Sequence, residues 1–286
     1  DGLMTDYLWK DILTKEKLTL IIENYAQVVV EVDEDTKKKK EKQIFPRYHQ
    51  LDVVTKLLAD VKTNGVGKKY LIQHSAGSGK SNSIAWLAHQ LIGLEQDGRP
   101  MLHSVIVVTD RRILDKQIRD TIKQFMQVGS TVAWAEHSGD LTKAITDGKR
   151  IIVTTIEKFP YIVPQIGAEH KDNHFAIIID EAHSGQSGRN SAQMNLALSG
   201  LASDDEMDNE DKINAMMEGR KLLNNASYFA FTATPKNKTL ETFGVPYQDG
   251  DDVKHRPFHV YTMKQAIQEG FILDVLQYYT PIDSFY

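Results

Sequence analysis

The stretch Tyr70-Leu71-Ile72-Gln73-His74-Ser75-Ala76-Gly77-Ser78-Gly79-Lys80-Ser81 sets a short apolar run against a glycine turn, a lysine and a hydroxyl. Followed by the amphipathic stretch 81–94, it reads as strand, loop and helix. Gly77 and Gly79 permit backbone angles closed to other residues, so successive N–H groups can converge on phosphate oxygens with no Cβ in the way. Lys80 is suited to the β- and γ-phosphates and the Ser81 hydroxyl to magnesium, over the positive end of the next helix. The expected ligands are therefore ATP and Mg2+, with His74, Ser75, Ala76, Gly77, Ser78, Gly79, Lys80 and Ser81 around them. His74 stands where such loops usually open with Gly or Ala, and a plain glycine-rich turn remains the alternative for the loop taken alone.

Outward from the loop the same rhythm repeats. Short, nearly continuous apolar runs at 70–73, 105–109, 151–155, 176–180 and 228–232 read as strands covered on both faces, as in a parallel sheet. Amphipathic stretches at 50–60, 81–94, 114–126 and 140–147 read as the covering helices. The expected class is α/β, three layers, with ligands gathered at the carboxyl edge of the strands.

The run 176–179 ends in Asp180-Glu181-Ala182-His183, about a hundred residues after the loop and on a strand of its own. Neighbouring carboxylates point different ways, so Asp180 can hold the magnesium shell while Glu181 orients and deprotonates a water. His183 faces a γ-phosphate or a second lobe, or is an ordinary histidine at a helix start.

Bulk properties fit this class without choosing a partner. The 286 residues are 41% hydrophobic and 26% charged, as in ordinary folded chains. Absence of cysteine excludes disulfides and thiolate metal sites. Neither an export signal nor an apolar run long enough for a membrane is visible, so a cytoplasmic protein with no membrane partner is expected. A net charge of −5 leaves nucleic-acid contact to local patches. Lys37 to Lys40 lie in a stretch, 31–42, expected as a solvated linker with backbone-phosphate contact as the alternative. The acids Asp204, Asp205, Glu206, Asp208, Glu210 and Asp211 read as a surface insertion. The start at Asp1, without methionine, suggests a piece of a longer polypeptide.

Together, the loop and Asp180-Glu181-Ala182-His183 resemble the first RecA-like lobe of superfamily 2 helicases and translocases. That resemblance implies that Gln50, in Arg47-Tyr48-His49-Gln50, reads adenine, that Arg47 lies at the nucleotide, and that Tyr48 or Phe45 stacks nearby. It also implies that Thr232 and Thr234 couple hydrolysis to movement together with His183. A narrower resemblance is to the motor subunit of type I restriction-modification enzymes. Its carriers are Arg47 to Gln50, His74 to Ser81, Asp110 to Gln117, Thr154 to Phe159, Phe231 to Pro235 and the tail 261–274. It implies a double-stranded DNA translocase that works with specificity and methyltransferase subunits, touching the DNA backbone through Thr109, Arg111, Arg112, Thr154 and Thr155. No nuclease motif is visible before Phe45. The expected organisation is a lead-in and charged linker over 1–43, a motor lobe over 44–245 with the acidic insertion at about 203–220, and a connector toward a second lobe over 246–286. A stand-alone DNA or RNA helicase lobe and a non-catalytic, ATP-switched interaction module are the alternatives.

Overall fold

A π-helical turn, Leu8–Ile12, and helix α1 (Lys15–Asn24), capped by the Thr14 hydroxyl, open the computed structural model. It describes residues 5–32, 38–109, 121–122, 132–135, 138–156, 159, 170–180 and 225–274. Strands β1 (Gln27–Val32) and β2 (Lys39–Ile44) then pair as an antiparallel ribbon. The lysine-rich stretch expected as linker is thus partly a strand, with Glu31 opposite Lys40 and Val32 opposite Lys39. The β-branched run of β1 offers a pairing edge, and lysines suit an exposed ribbon.

Helix α2 (Tyr48–Asn64) buries His49, Gln50, Leu51, Val53, Val54, Leu57 and Val61, a spacing of three and four that makes one apolar stripe. Gly65, at φ 75°, ends it. Strand β3 (Lys69–His74) runs into helix α3 (Lys80–Ile92), and the small hairpin β4 (Glu95–Gln96) and β5 (Arg99–Pro100) follows. Next come β6 (Ser104–Thr109), β7 (Val132–Trp134), α4 (Ser138–Thr146), β8 (Ile151–Thr155), β9 (Phe175–Ile179) and β10 (Ala226–Thr232). Helix α5 (Asn237–Phe243), the hairpin β11 (Val245–Asp249) and β12 (Asp252–Arg256), β13 (His259–Tyr261) and α6 (Met263–Gln268) complete the described chain.

Seven of these strands form one parallel sheet in the order β13-β3-β10-β9-β6-β8-β7. Strands β6, β8, β9 and β10 are buried at every residue, which is why they read as nearly continuous apolar runs. Two cores flank the sheet. One joins Tyr25 and Val29 to the apolar faces of α2 and α3; the other gathers Phe243, Ile145 and Phe159 on the opposite face. The lead-in is therefore part of the packed body. The Trp86 indole N–H donates to the Tyr25 carbonyl at 3.0 Å, and the two rings lie 5.8 Å apart.

Residue 245 is not a structural boundary. Strand β13, inside the expected connector, pairs with β3 in register, His259 with Ile72 and Tyr261 with His74. Only residues 121 and 122 of the expected helix 114–126 are described, and the acidic insertion lies outside the described residues.

Candidate nucleotide site at the carboxyl edge of the sheet

Strand register brings the two expected halves of the site to one edge. Leu71, Ala230, Ile179, Val108 and Thr154 share a single row across β3, β10, β9, β6 and β8. Beyond it β3 runs three residues to His74, while β9 hands over to Asp180. Since all strands are parallel and one strand, β10, separates β3 from β9, their axes lie about 10 Å apart. Asp180 is 4% exposed, and its N–H donates to the Val108 carbonyl at 2.9 Å.

The glycine loop is built as its sequence requires. Gly77 and Gly79 sit at φ 76° and 80°, a region in which a Cβ costs roughly 1–2 kcal/mol. Gly79 also leaves no room: a Cβ there would stand 2.6 Å from Gln50 Nε2. Lys80 opens α3 and is buried, Ser81 is half-buried, and Ala76 and Gly77 are exposed at the loop crest. Several buried polar atoms around the loop have no partner among the described residues: Ser75 Oγ, Ser78 Oγ, His49 Nδ1, His74 Nδ1 and Arg47 Nη1. Groups hidden from water without partners are costly, and here they surround one glycine turn beside a lysine. Of these, Ser75 Oγ, Ser78 Oγ and Arg47 Nη1 are donors that fit a triphosphate with its cation.

Gln50 lies against the loop, but its amide is engaged there. Its Oε1 accepts from the Arg47 N–H at 2.9 Å, and its Nε2 donates to the Gly79 and Ser78 carbonyls at 3.0 and 3.4 Å. Pairing with an adenine edge requires the amide to leave these carbonyls; in this structure Gln50 is a brace between α2 and the loop. Tyr48 is exposed and Phe45 likewise, while the Arg47 guanidinium lies 4.2 Å over the Phe271 ring.

A network of contacts absent from the sequence reading surrounds the loop. His74 Nε2 is 2.8 Å from His259 Nδ1, and His259 Nε2 is 2.9 Å from an Asp52 carboxylate oxygen. His49 stacks on Tyr261 with centroids 3.8 Å apart, and its Nε2 lies 2.9 Å from the Ser78 carbonyl. Burial, and then the charges of His259, His49 and Lys80, push His74 down to about 2. Burial also lowers His49 and His259, against the hydrogen bonds that favour their charged forms. Asp52 is pushed up by burial, but hydrogen bonds from Lys56 and His259 outweigh this and leave it below the usual carboxylate range. The only local signal for β13 is the aromatic and β-branched run after Pro257.

A family model described as SWI2/SNF2 ATPase matches residues 49–284. The chain belongs to the SWI2/SNF2 ATPase family. Among curated proteins it is 28% identical over 233 residues to the type I restriction enzyme SsaAORF53P endonuclease subunit of Staphylococcus saprophyticus, a match covering 79% of this chain and 20% of that subunit. The chain thus spans about a fifth of that relative's length. Similar solved structures include the ATP-dependent type ISP restriction-modification enzyme LlaBIII bound to DNA, at 14% identity and TM-score 0.48, covering 90% of this chain and 18% of that one. Another is a Sulfolobus solfataricus SWI2/SNF2 ATPase core in complex with double-stranded DNA, at 17% identity and TM-score 0.42, covering 69% and 34%.

The other residues expected to matter in this SWI2/SNF2 lobe divide in three. Thr232, at the tip of β10 between the loop strand and the Asp180 strand, is buried; Thr234, two residues on, is exposed. Thr109, Thr154 and Thr155 sit at the tips of β6 and β8, but they are 0%, 1% and 6% exposed, and the Thr109 hydroxyl donates to the Thr154 carbonyl at 3.4 Å. Their side chains do not form an open surface for DNA. Glu181, His183, Arg111 and Arg112 lie outside the described residues. No described helix is long and apolar enough to cross a membrane.

Proposed function

We propose that this SWI2/SNF2 domain is the ATP-binding lobe of an ATP-dependent double-stranded DNA translocase, within the endonuclease subunit of a type I restriction-modification enzyme. The observation that carries the reading is the convergence of the glycine loop and Asp180 at one sheet edge, with a single strand between them. Lys80 and the loop N–H groups bind the phosphates. Ser81 and Asp180 would hold Mg2+, which would supply positive charge to offset that of the phosphates. Glu181 orients the attacking water and takes its proton. Thr232 and Thr234, with His183, pass the change at the γ-phosphate to the rest of the motor, and Arg111 and Arg112 meet the DNA backbone. In the parent enzyme the partners are specificity and methyltransferase subunits, and the cutting site belongs to a part of the polypeptide other than this lobe. Relatedness to an endonuclease subunit about four times as long supports this assignment.

Lys80→Ala tests it. The change leaves both apolar cores intact, so the variant still folds and loses binding of a fluorescent ATP analogue. Unchanged affinity removes the phosphate-loop assignment. For the DNA half of the proposal, the log of duplex affinity of the parent motor falls linearly with log salt and varies little with sequence; strong sequence preference by the motor alone contradicts it.

A further inference from the structure

The phosphate loop of this chain is gripped by a segment that lies about 180 residues further along. Strand β13 continues the sheet ladder past the end of β3: the Ser75 N–H donates to the Tyr261 carbonyl at 2.9 Å. Loop residue His74 bonds to His259, and loop residue Ser78 bonds to His49, whose ring lies flat on Tyr261 at an interplanar angle of 6°. On the crest, the Ile272 side chain reaches to 3.4 Å from where a Cβ on Gly77 would stand. His74, Ser75, Gly77 and Ser78 are therefore each held by residues 259–272 or by a ring stacked upon them.

The hydrogen-bond chain through His259 has a fixed direction. Asp52 is a carboxylate and can only accept, so His259 Nε2 must carry the proton between them. Neutral His259 then presents a bare Nδ1, and His74 must donate to it from Nε2–H. This leaves His74 Nδ1 as a lone-pair acceptor, fully buried and without a partner among the described residues, at the first residue of the loop. An acceptor fixed at Asp52 on α2 thus sets the tautomer and ring orientation at the mouth of the phosphate loop.

We propose that His259 is a positioning residue for nucleotide binding, acting through His74, and that residues 259–272 clamp the phosphate loop in its anion-binding shape. The proposal rests on the ATP-site reading above. It adds a residue set, Asp52, His259 and Tyr261, that lies off the loop and touches no phosphate.

The 286-residue chain tests it in two independent ways. With 15N-labelled histidine and no nucleotide, His74 and His259 both show Nε2 protonated and Nδ1 bare; a His74 ring protonated at Nδ1 overturns the proposal. In titrations with a fluorescent ATP analogue, His259→Leu, which keeps bulk but neither donates nor accepts, weakens affinity about tenfold. His259→Gln, whose amide supplies one acceptor and one donor, stays within about twofold of the native chain. Equal affinities for the two variants overturn it. Should His259→Leu fail to fold, Asp52→Ala and Asp52→Asn at the half-exposed far end replace that pair: the alanine variant weakens binding, the asparagine variant retains an acceptor and binds more tightly than it, and equality again overturns the claim. Lys80→Ala, run alongside, separates the two readings. Native-like binding by Lys80→Ala sinks the ATP site itself, whereas loss of binding there with native affinity in His259→Leu sinks the clamp alone.

Discussion

The tips of β3 and β9 stand at the same edge of one sheet and are built on opposite plans. Asp180 is placed by strand register: a backbone bond to Val108 and two flanking strands settle where it lies. The glycine loop after β3 is placed by contacts from afar. Gln50 reaches it across 28 and 29 positions of sequence, His259 across 185, and Tyr261 grips it through the backbone. A tip fixed by its own strand needs only its acids to act; a tip made of left-handed glycines has no fixed shape until something holds it. Chemistry should therefore be separable from binding, with acid-tip changes altering turnover and brace changes altering affinity.

Glu181→Gln at the acid tip gives the largest expected effect. Removing a general base lowers turnover roughly 10²- to 10⁴-fold, while affinity for the ATP analogue stays near native because the loop is intact. Steady-state ATP turnover of the parent enzyme beside equilibrium titration reads both at once. Turnover that survives breaks the division of labour and favours an ATP-switched interaction module.

On the loop side, Gly79→Ala meets two penalties. The left-handed backbone costs roughly 1–2 kcal/mol with any Cβ, and the added atom stands 2.6 Å from Gln50 Nε2. In a Gln50→Ala background only the first remains. A double-mutant cycle in chemical denaturation should therefore show a coupling of about 0.5–3 kcal/mol, the range for residues in contact. Additivity within experimental error means that Gln50 does not press on the loop.

That contrast also explains what the sequence could show. Five of the seven strands of the parallel sheet were legible because burial on both faces leaves a nearly continuous apolar run, as at 151–155 and 176–179. Asp180 was legible because a buried strand ending in acids has few bland explanations. The ribbon strand β2 was not, since Lys39 to Lys42 carry charges suited equally to a loop and to an exposed edge. Strand β13 was hidden by brevity: three residues carry no period, and its place beside β3 follows from pairing, not pattern. Gln50 was found by motif but turned the other way, because which partner an amide chooses depends on the loop carbonyls that folding brings to it. The chain Asp52, His259 and His74 joins residues far apart and is invisible to any local window.

A smaller effect follows from the neutral histidines behind the loop. His74 is held down to about 2, chiefly by burial, against about 6.5 in an unfolded chain. The unfolded state thus binds the extra proton below 6.5, so His74's share of stability is complete above that pH and is lost progressively as the pH falls from there toward about 2. Between pH 7.5 and 5.5 this amounts to about 1.4 kcal/mol. Melting curves of the native chain and His74→Gln should converge as the pH drops; parallel curves mean that His74 already carries a proton in the fold.

The smallest effect belongs to the exposed end of the same clamp. Tyr48 donates its hydroxyl to Glu269 at 2.8 Å and accepts from Gln265 at 2.5 Å, and Tyr261 donates to the other Glu269 oxygen at 2.8 Å. These bonds link α2 to α6 as the buried chain links α2 to β13, yet Tyr48 is 46% exposed. Water replaces an exposed hydroxyl partner at little cost, so Tyr48→Phe should change stability by less than about 1 kcal/mol and leave affinity for the ATP analogue unchanged. A loss of affinity comparable to that of His259→Leu would show that the clamp is held from its solvent side, and that burial does not decide which of the two chains positions the loop.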